Sequence, residues 1–171
     1  MEAIKAWLSE LTPRAITGIE VERAPTGEVI FALREEGMDD PVTARSMSDG
    51  TLRFAALTVA ALGTEGRRTL VIEEVENGIN PSRLALLIRM LEQTTESSPD
   101  TQVIASTHSP GLLDFAGSTT IDNAIVIGWN YEQRRSAPVR LGDLASLTEA
   151  LQDSTLGQLQ AEGWLQFAAD R

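Results

Sequence analysis

The sequence predicts an α/β protein with a mostly parallel sheet flanked by helices and an N-terminal β-hairpin. Three observations predict it. Two continuous apolar runs, TLVIEE (69–74) and TQVIASTH (101–108), end in polar residues, the pattern of strands covered on both faces. Between them, SRLALLIRMLEQ carries Leu84, Leu87, Ile88 and Leu91 at helical spacing. Upstream, GIEVERAPTGEVIFAL (18–33) alternates apolar and polar residues on both sides of a Pro25-Thr26-Gly27 turn. Strand, helix and strand in this order imply a parallel sheet with right-handed crossovers.

Each element follows from local chemistry. The hairpin leads into a charged loop, REEGMDDPVTARS. In SMSDGTLRFAALTVAALG, Ser48 or Asp49 can cap a helix whose apolar residues run from Leu52 to Leu62, with Gly63 as the stop. After the strand at 69–74, Asn77 and Gly78 turn the chain, and Pro81 sits where a helix begins. A Ser/Pro loop at 97–100 precedes the second strand, and NAIVIGW (123–129) reads as a third. The tail from Gly142 reads as helical, with Leu144, Leu147, Leu151, Leu156 and Leu159 as its apolar face. No internal repeat or low-complexity segment interrupts the pattern.

A chain of 171 residues suits one domain, 1–171, with a core that needs neither disulfide nor metal. Its 42% hydrophobic and 23% charged residues are those of an ordinary globular protein. The absence of cysteine excludes a disulfide framework and a thiolate metal site, and points to a reducing compartment. The N-terminal MEAIKAWLSE has no apolar h-region and no run reaches the length of a membrane span, so the expected location is cytoplasmic, away from membranes. A net charge of −11 disfavours nonspecific attraction to nucleic acid or anionic lipid.

Three polar clusters fall where open α/β sheets place their chemistry, at strand carboxyl ends and a helix N-terminus. Glu73 and Glu74 could form a solvated strand end. Adjacent carboxylates on an apolar strand are better explained if a divalent cation neutralises them. One acid then holds Mg²⁺ while its neighbour orients and deprotonates a water. His108 is the only histidine, and a lone histidine is commonly a hydrogen-bonded structural residue. Its place after VIAST, before the Ser109-Pro110-Gly111 turn, puts it at the sheet edge where the acidic strand ends. A nucleophilic Ser109 finds no support, because no G-x-S-x-G elbow surrounds it. Ser48-Asp49-Gly50 could be only a helix cap. Free N–H groups, a hydroxyl and a glycine also make an anion site there, and phosphate fits it.

In this order the clusters resemble the C-terminal half of an ABC-type ATPase domain, and more narrowly the SMC-like, RecF-like and OLD-like branch of AAA-family ATPases. The signature motif of that branch, S-D-G-T-x-R, is matched by Ser48-Asp49-Gly50-Thr51-Leu52-Arg53. LVIEEVENGINP resembles the Walker B strand and its following turn, and VIASTHSP the histidine switch. The resemblance spans roughly residues 45–130 and implies a three-layer fold of the P-loop NTPase type, with ATP and Mg²⁺ as cofactors. It implies that Glu73 supports Mg²⁺, Glu74 is the general base for water attack on the γ-phosphate, and His108 senses that phosphate. Ser48, Asp49 and Gly50 would bind the γ-phosphate of ATP held on a partner across a head-to-tail dimer. Asn77 to Asn80 would form the D-loop at that interface.

Glu73 stands where most ABC proteins carry Asp. The Walker A element G-x-x-x-x-G-K-[ST] does not occur, since the one lysine, Lys5, has no glycine before it. The expectation is therefore a C-terminal lobe that is active only with a Walker A lobe, supplied by a separate chain or by a longer parent protein. Nucleic acid would be met only through other parts of such an assembly. Two other readings stay open. One is a noncatalytic module that binds a partner through an apolar edge. The other is a metal-dependent nuclease or phosphatase using Glu73, Glu74 and His108, which offers few acidic ligands and leaves SDGTLR without a purpose.

Overall fold

A computed structural model of the chain describes residues 1–23, 26–63 and 66–170. They form two compact units, 1–106 and 107–171.

The first unit begins with a helix the sequence reading did not assign, α1 (Glu2–Leu11), which buries Ile4, Trp7 and Leu8 on one face. Strands β1 (Ile16–Arg23) and β2 (Val29–Glu35) pair antiparallel as expected, and a two-residue β3 (Val42–Thr43) adds to β2. Of the expected hairpin turn, Pro25 lies outside the described residues, and Gly27 takes the left-handed φ of 84° that glycine tolerates. Across the pair, Arg34 grips the carboxylate of Glu20 through Nε at 2.7 Å and Nη2 at 3.2 Å.

Helix α2 (Asp49–Leu62) starts at Ser48, whose Oγ accepts from the Thr51 amide, so the serine is the cap. It buries Phe54, Ala55, Thr58 and Ala61. The buried Thr58 hydroxyl is satisfied by donating to the Phe54 carbonyl one turn back, at 2.8 Å. Strands β4 (Arg68–Ile72) and β5 (Thr101–Ala105) pair parallel, joined by a 3₁₀ turn at Pro81–Arg83 and helix α3 (Leu84–Ser97). The four predicted apolar positions of α3, Leu84, Leu87, Ile88 and Leu91, are all buried. At its middle, the Arg89 guanidinium lies 5.5 Å from the centre of the Trp7 ring, which ties α3 to α1.

The sheet departs from expectation in two ways. Among the described residues, parallel pairing is confined to β4 and β5. One face of that pair is bare: Val71 opposes Ile104 in register, and they are 72% and 51% exposed. A parallel pair open on one face is unusual, because such sheets are ordinarily covered on both.

In the second unit, α4 (Pro110–Leu113) and α5 (Ser118–Asn123) precede β6 (Ile125–Asn130). The third strand of the sequence reading is thus present, but its partner is β7 (Arg135–Arg140), antiparallel, and it does not join β4 and β5. The turn of residues 131–134 folds RSAPVR back onto IVIGWN and gives β6 an adjacent antiparallel partner. Pro138 hides β7 from a sequence reading because it cannot donate to a ladder. The helical tail is three short helices, α6 (Leu147–Asp153), α7 (Leu156–Ala161) and α8 (Trp164–Ala169). A Thr155–Gln158 capping box starts α7. Leu141, Leu147, Leu156, Leu159 and Leu165 form the core of this unit. Among the described residues, no helix is long and apolar enough to cross a membrane.

Candidate functional site

Strand β4 stops at Ile72, so Glu73 and Glu74 sit just past its carboxyl end, both exposed. What stops it is a reversal of backbone hand. Glu74 has φ 45°, one of two non-glycine residues with positive φ among those described. Its amide donates to Ser106 Oγ at 3.0 Å, and the Val75 amide to the Ser106 carbonyl at 3.0 Å, so the end of β5 fixes where the turn begins. From there the turn closes on itself. The Glu74 and Glu76 carbonyls accept from the Asn77 and Ile79 amides, and buried Val75 and Ile79 anchor it to the core. Asn80 ends it by accepting from the Ser82 amide at 3.0 Å, opening the 3₁₀ turn with Pro81 at its first position.

Ser48-Asp49-Gly50 is brought directly against this turn. A β-carbon on Gly50 would lie 2.4 Å from the Gly78 carbonyl oxygen, so only glycine permits the approach. Arg53, one turn further along α2, donates from Nη2 to the carbonyls of Glu73 at 3.0 Å and Glu74 at 2.9 Å. The serine hydroxyl, exposed at the start of α2, lies 2.9 Å from Thr51 Oγ1. The first unit therefore unites two of the three predicted clusters. His108 belongs to the second unit, exposed, just before the Ser109 that precedes α4.

Sequence reading missed roles for two residues here, Arg53 and Ser106. Arg53 stood inside the SDGTLR motif without a task. Ser106 stood in VIASTHSP, where a small hydroxyl next to a strand end was the one available signal.

The donor set can be tested against Mg²⁺. No group of three or more His, Asp or Glu among the described residues could hold a metal by itself. One or two exposed carboxylates beside a helix N-terminus suit a Mg²⁺ that keeps its waters and shares phosphate oxygens, which is how this ion is ordinarily bound.

A left-handed glutamate predicts an unusual order of stabilities. Replacing a side chain by glycine usually costs more than replacing it by alanine. At Glu74 the order should invert, with Glu74→Gly more stable than Glu74→Ala by about 1 kcal/mol, because only glycine adopts that φ without strain. Urea unfolding of both variants measures it. Alanine coming out ahead would mean that residue 74 is not left-handed in solution.

Comparison with known proteins adds the following. No curated protein matches the chain. Among solved structures, one described as "Structural biochemistry of ATP-driven dimerization and DNA stimulated activation of SMC ATPases" is similar at a TM-score of 0.50 and 15% identity, covering 90% of this chain and 94% of that one. At that identity the likeness is one of fold. A family model described as "AAA domain, putative AbiEii toxin, Type IV TA system" matches residues 6–114, more than half of the chain and all three clusters. The chain therefore belongs to this family of AAA-type ATPase domains.

Proposed function

We propose that the chain is the C-terminal lobe of an ABC-type ATPase, 1–171 acting as one catalytic part that hydrolyses ATP with Mg²⁺ once a Walker A lobe joins it, as a head-to-tail dimer. The observation that carries the reading is the packing of the Ser48-Asp49-Gly50 helix start onto the turn bearing Glu73 and Glu74. Through Gly50 against the Gly78 carbonyl and Arg53 on the Glu73 and Glu74 carbonyls, the helix start that would meet the partner's phosphate is coupled to the turn that carries the acids, as the two linked sites of a head-to-tail dimer require. Glu73 would hold Mg²⁺, which supplies charge neutralisation for the phosphates. Glu74 orients the attacking water and takes its proton. His108 senses the γ-phosphate. Ser48, Asp49 and Gly50 receive the γ-phosphate of ATP held by the partner, and residues 77–80 form the D-loop facing it. The ATP-driven dimerization named for the similar SMC ATPase structure supports the dimer.

The bare face of β4 and β5 is where a helical layer of the Walker A lobe would pack, while strands of that lobe would pair along the edges of β4 and β5 to complete the mostly parallel, three-layer fold of a P-loop NTPase. The same face favours a second reading, in which the chain is a noncatalytic module that binds a partner there. Nucleic acid would be reached through other parts of the assembly, and the lack of cysteine suits a cytoplasmic setting.

Calorimetric titration of Mg-ATP into the isolated chain should show no binding, and addition of a Walker A lobe should produce turnover. Strong binding by the isolated chain would mean that the phosphates are held by other residues. A mixture that binds but never turns over would favour the noncatalytic module.

A further inference from the structure

We propose that Arg53 is a positioning residue for Glu74: carried on α2, its guanidinium holds the Glu73 and Glu74 carbonyls and with them the left-handed peptide that presents the Glu74 carboxylate. The proposal rests on the ATPase reading and adds to it the device that aims the general base.

Successive carbonyls of an extended strand point to opposite sides. Those of Glu73 and Glu74 instead converge on a single nitrogen, Arg53 Nη2, at 3.0 and 2.9 Å. Convergence requires the backbone between them to leave the extended conformation, and the residue whose dihedrals separate them is Glu74, with φ 45°. Glutamate has no intrinsic preference for that region, so something outside the residue must hold it there. A cation with two N–H bonds aimed at both carbonyls is suited to do so.

The rest of the arginine is placed accordingly. Its stem runs beside Gly78, where an added β-carbon would stand 4.0 Å from Arg53 Cδ. Its buried Nε has no hydrogen-bond partner among the described residues, so the two carbonyls carry the guanidinium's hydrogen bonding there. On the opposite side the Glu74 amide is held by Ser106, and its carbonyl also accepts from Asn77. The Glu74 peptide is thus fixed from the strand, from its own turn and from α2. Because α2 is also the helix whose N-terminus would meet the partner's phosphate, Arg53 links the base of one site to the phosphate contact of the other.

The test has two readouts. In the isolated chain without nucleotide, amide hydrogen exchange at Val75 and Asn77 should accelerate about tenfold in R53A and by an intermediate factor in R53K, whose shorter side chain cannot serve both carbonyls equally. Protection of the β1–β2 ladder should be unchanged in both. In the ATPase assembled with its Walker A lobe, kcat should fall in the same order while KM for ATP stays within about twofold of the wild-type value. If R53A also loses ladder protection, it has unfolded more widely, and R53K alone carries the same two comparisons. Unchanged exchange at Val75 and Asn77 overturns the proposal, as does a wild-type kcat in a variant whose exchange has risen. Glu74→Gln, run in parallel, separates the two ideas: full turnover in that variant sinks the ATPase reading itself, whereas a dead Glu74→Gln beside a fully active R53A sinks only the role of Arg53.

Discussion

Glu74→Gln is expected to lower ATP turnover by about 10²–10⁴-fold in the assembled ATPase, the range a general base contributes, while nucleotide-driven dimerisation persists. Glutamine keeps the size and the hydrogen-bonding reach of the side chain but cannot take a proton. The turn should survive the change, because what fixes it are backbone groups of residue 74. Its amide is held by Ser106 Oγ and its carbonyl by Arg53 and Asn77, while the carboxylate accepts a long hydrogen bond from Asn77 Nδ2, at 3.5 Å. Loss of turnover with an unchanged unfolding midpoint is therefore a chemical effect and not a folding one. Assembly is followed by light scattering and turnover by phosphate release. Turnover within a factor of two of the wild type would remove Glu74 from the reaction and shift attention to Glu73.

The elements that were legible in the sequence are those whose signal is local. Alternation marks β1 and β2, the 3.6-residue period of Leu84, Leu87, Ile88 and Leu91 marks α3, and a serine ahead of an apolar helix marks the start of α2. The runs at 69–74 and 101–108 gave two strands in the right pairing but overstated their burial, since an apolar run does not reveal which face will be covered within the chain. Strand β6 is legible as a strand but its partner is not, because that partner is a strand interrupted by Pro138 beyond the turn at 131–134. The leucine spacing of the tail marks it as helical but does not show that Gly163, at φ 76°, and the Thr155 cap divide it. At the site, the residue types and their order were legible and the geometry was not. Nothing in the letters EE announces a left-handed second glutamate, and the arginine that holds it lies 21 residues away in sequence.

Gly50→Ala should destabilise the first unit by about 1–3 kcal/mol, the usual cost of forcing extra volume into a packed contact. The added β-carbon would lie 2.4 Å from the Gly78 carbonyl oxygen, 3.5 Å from its carbon and 3.7 Å from the Ile79 α-carbon. All three are backbone atoms, so no side chain can rotate away to make room. Either the start of α2 or the turn must move. Buried Ile79 and the bond from its amide to Glu76 resist displacement of the turn, and the buried Phe54 and Ala55 resist displacement of the helix. Gly18→Ala is the control: its β-carbon would meet Arg34 Cβ at an ordinary 3.4 Å, and the change should stay within about 0.5 kcal/mol of neutral. Urea unfolding read by circular dichroism, with the slope unchanged, separates the two substitutions. A Gly50→Ala chain as stable as Gly18→Ala would show that helix and turn stand further apart than 2.4 Å implies. The contact supporting the proposed catalytic site would then be absent.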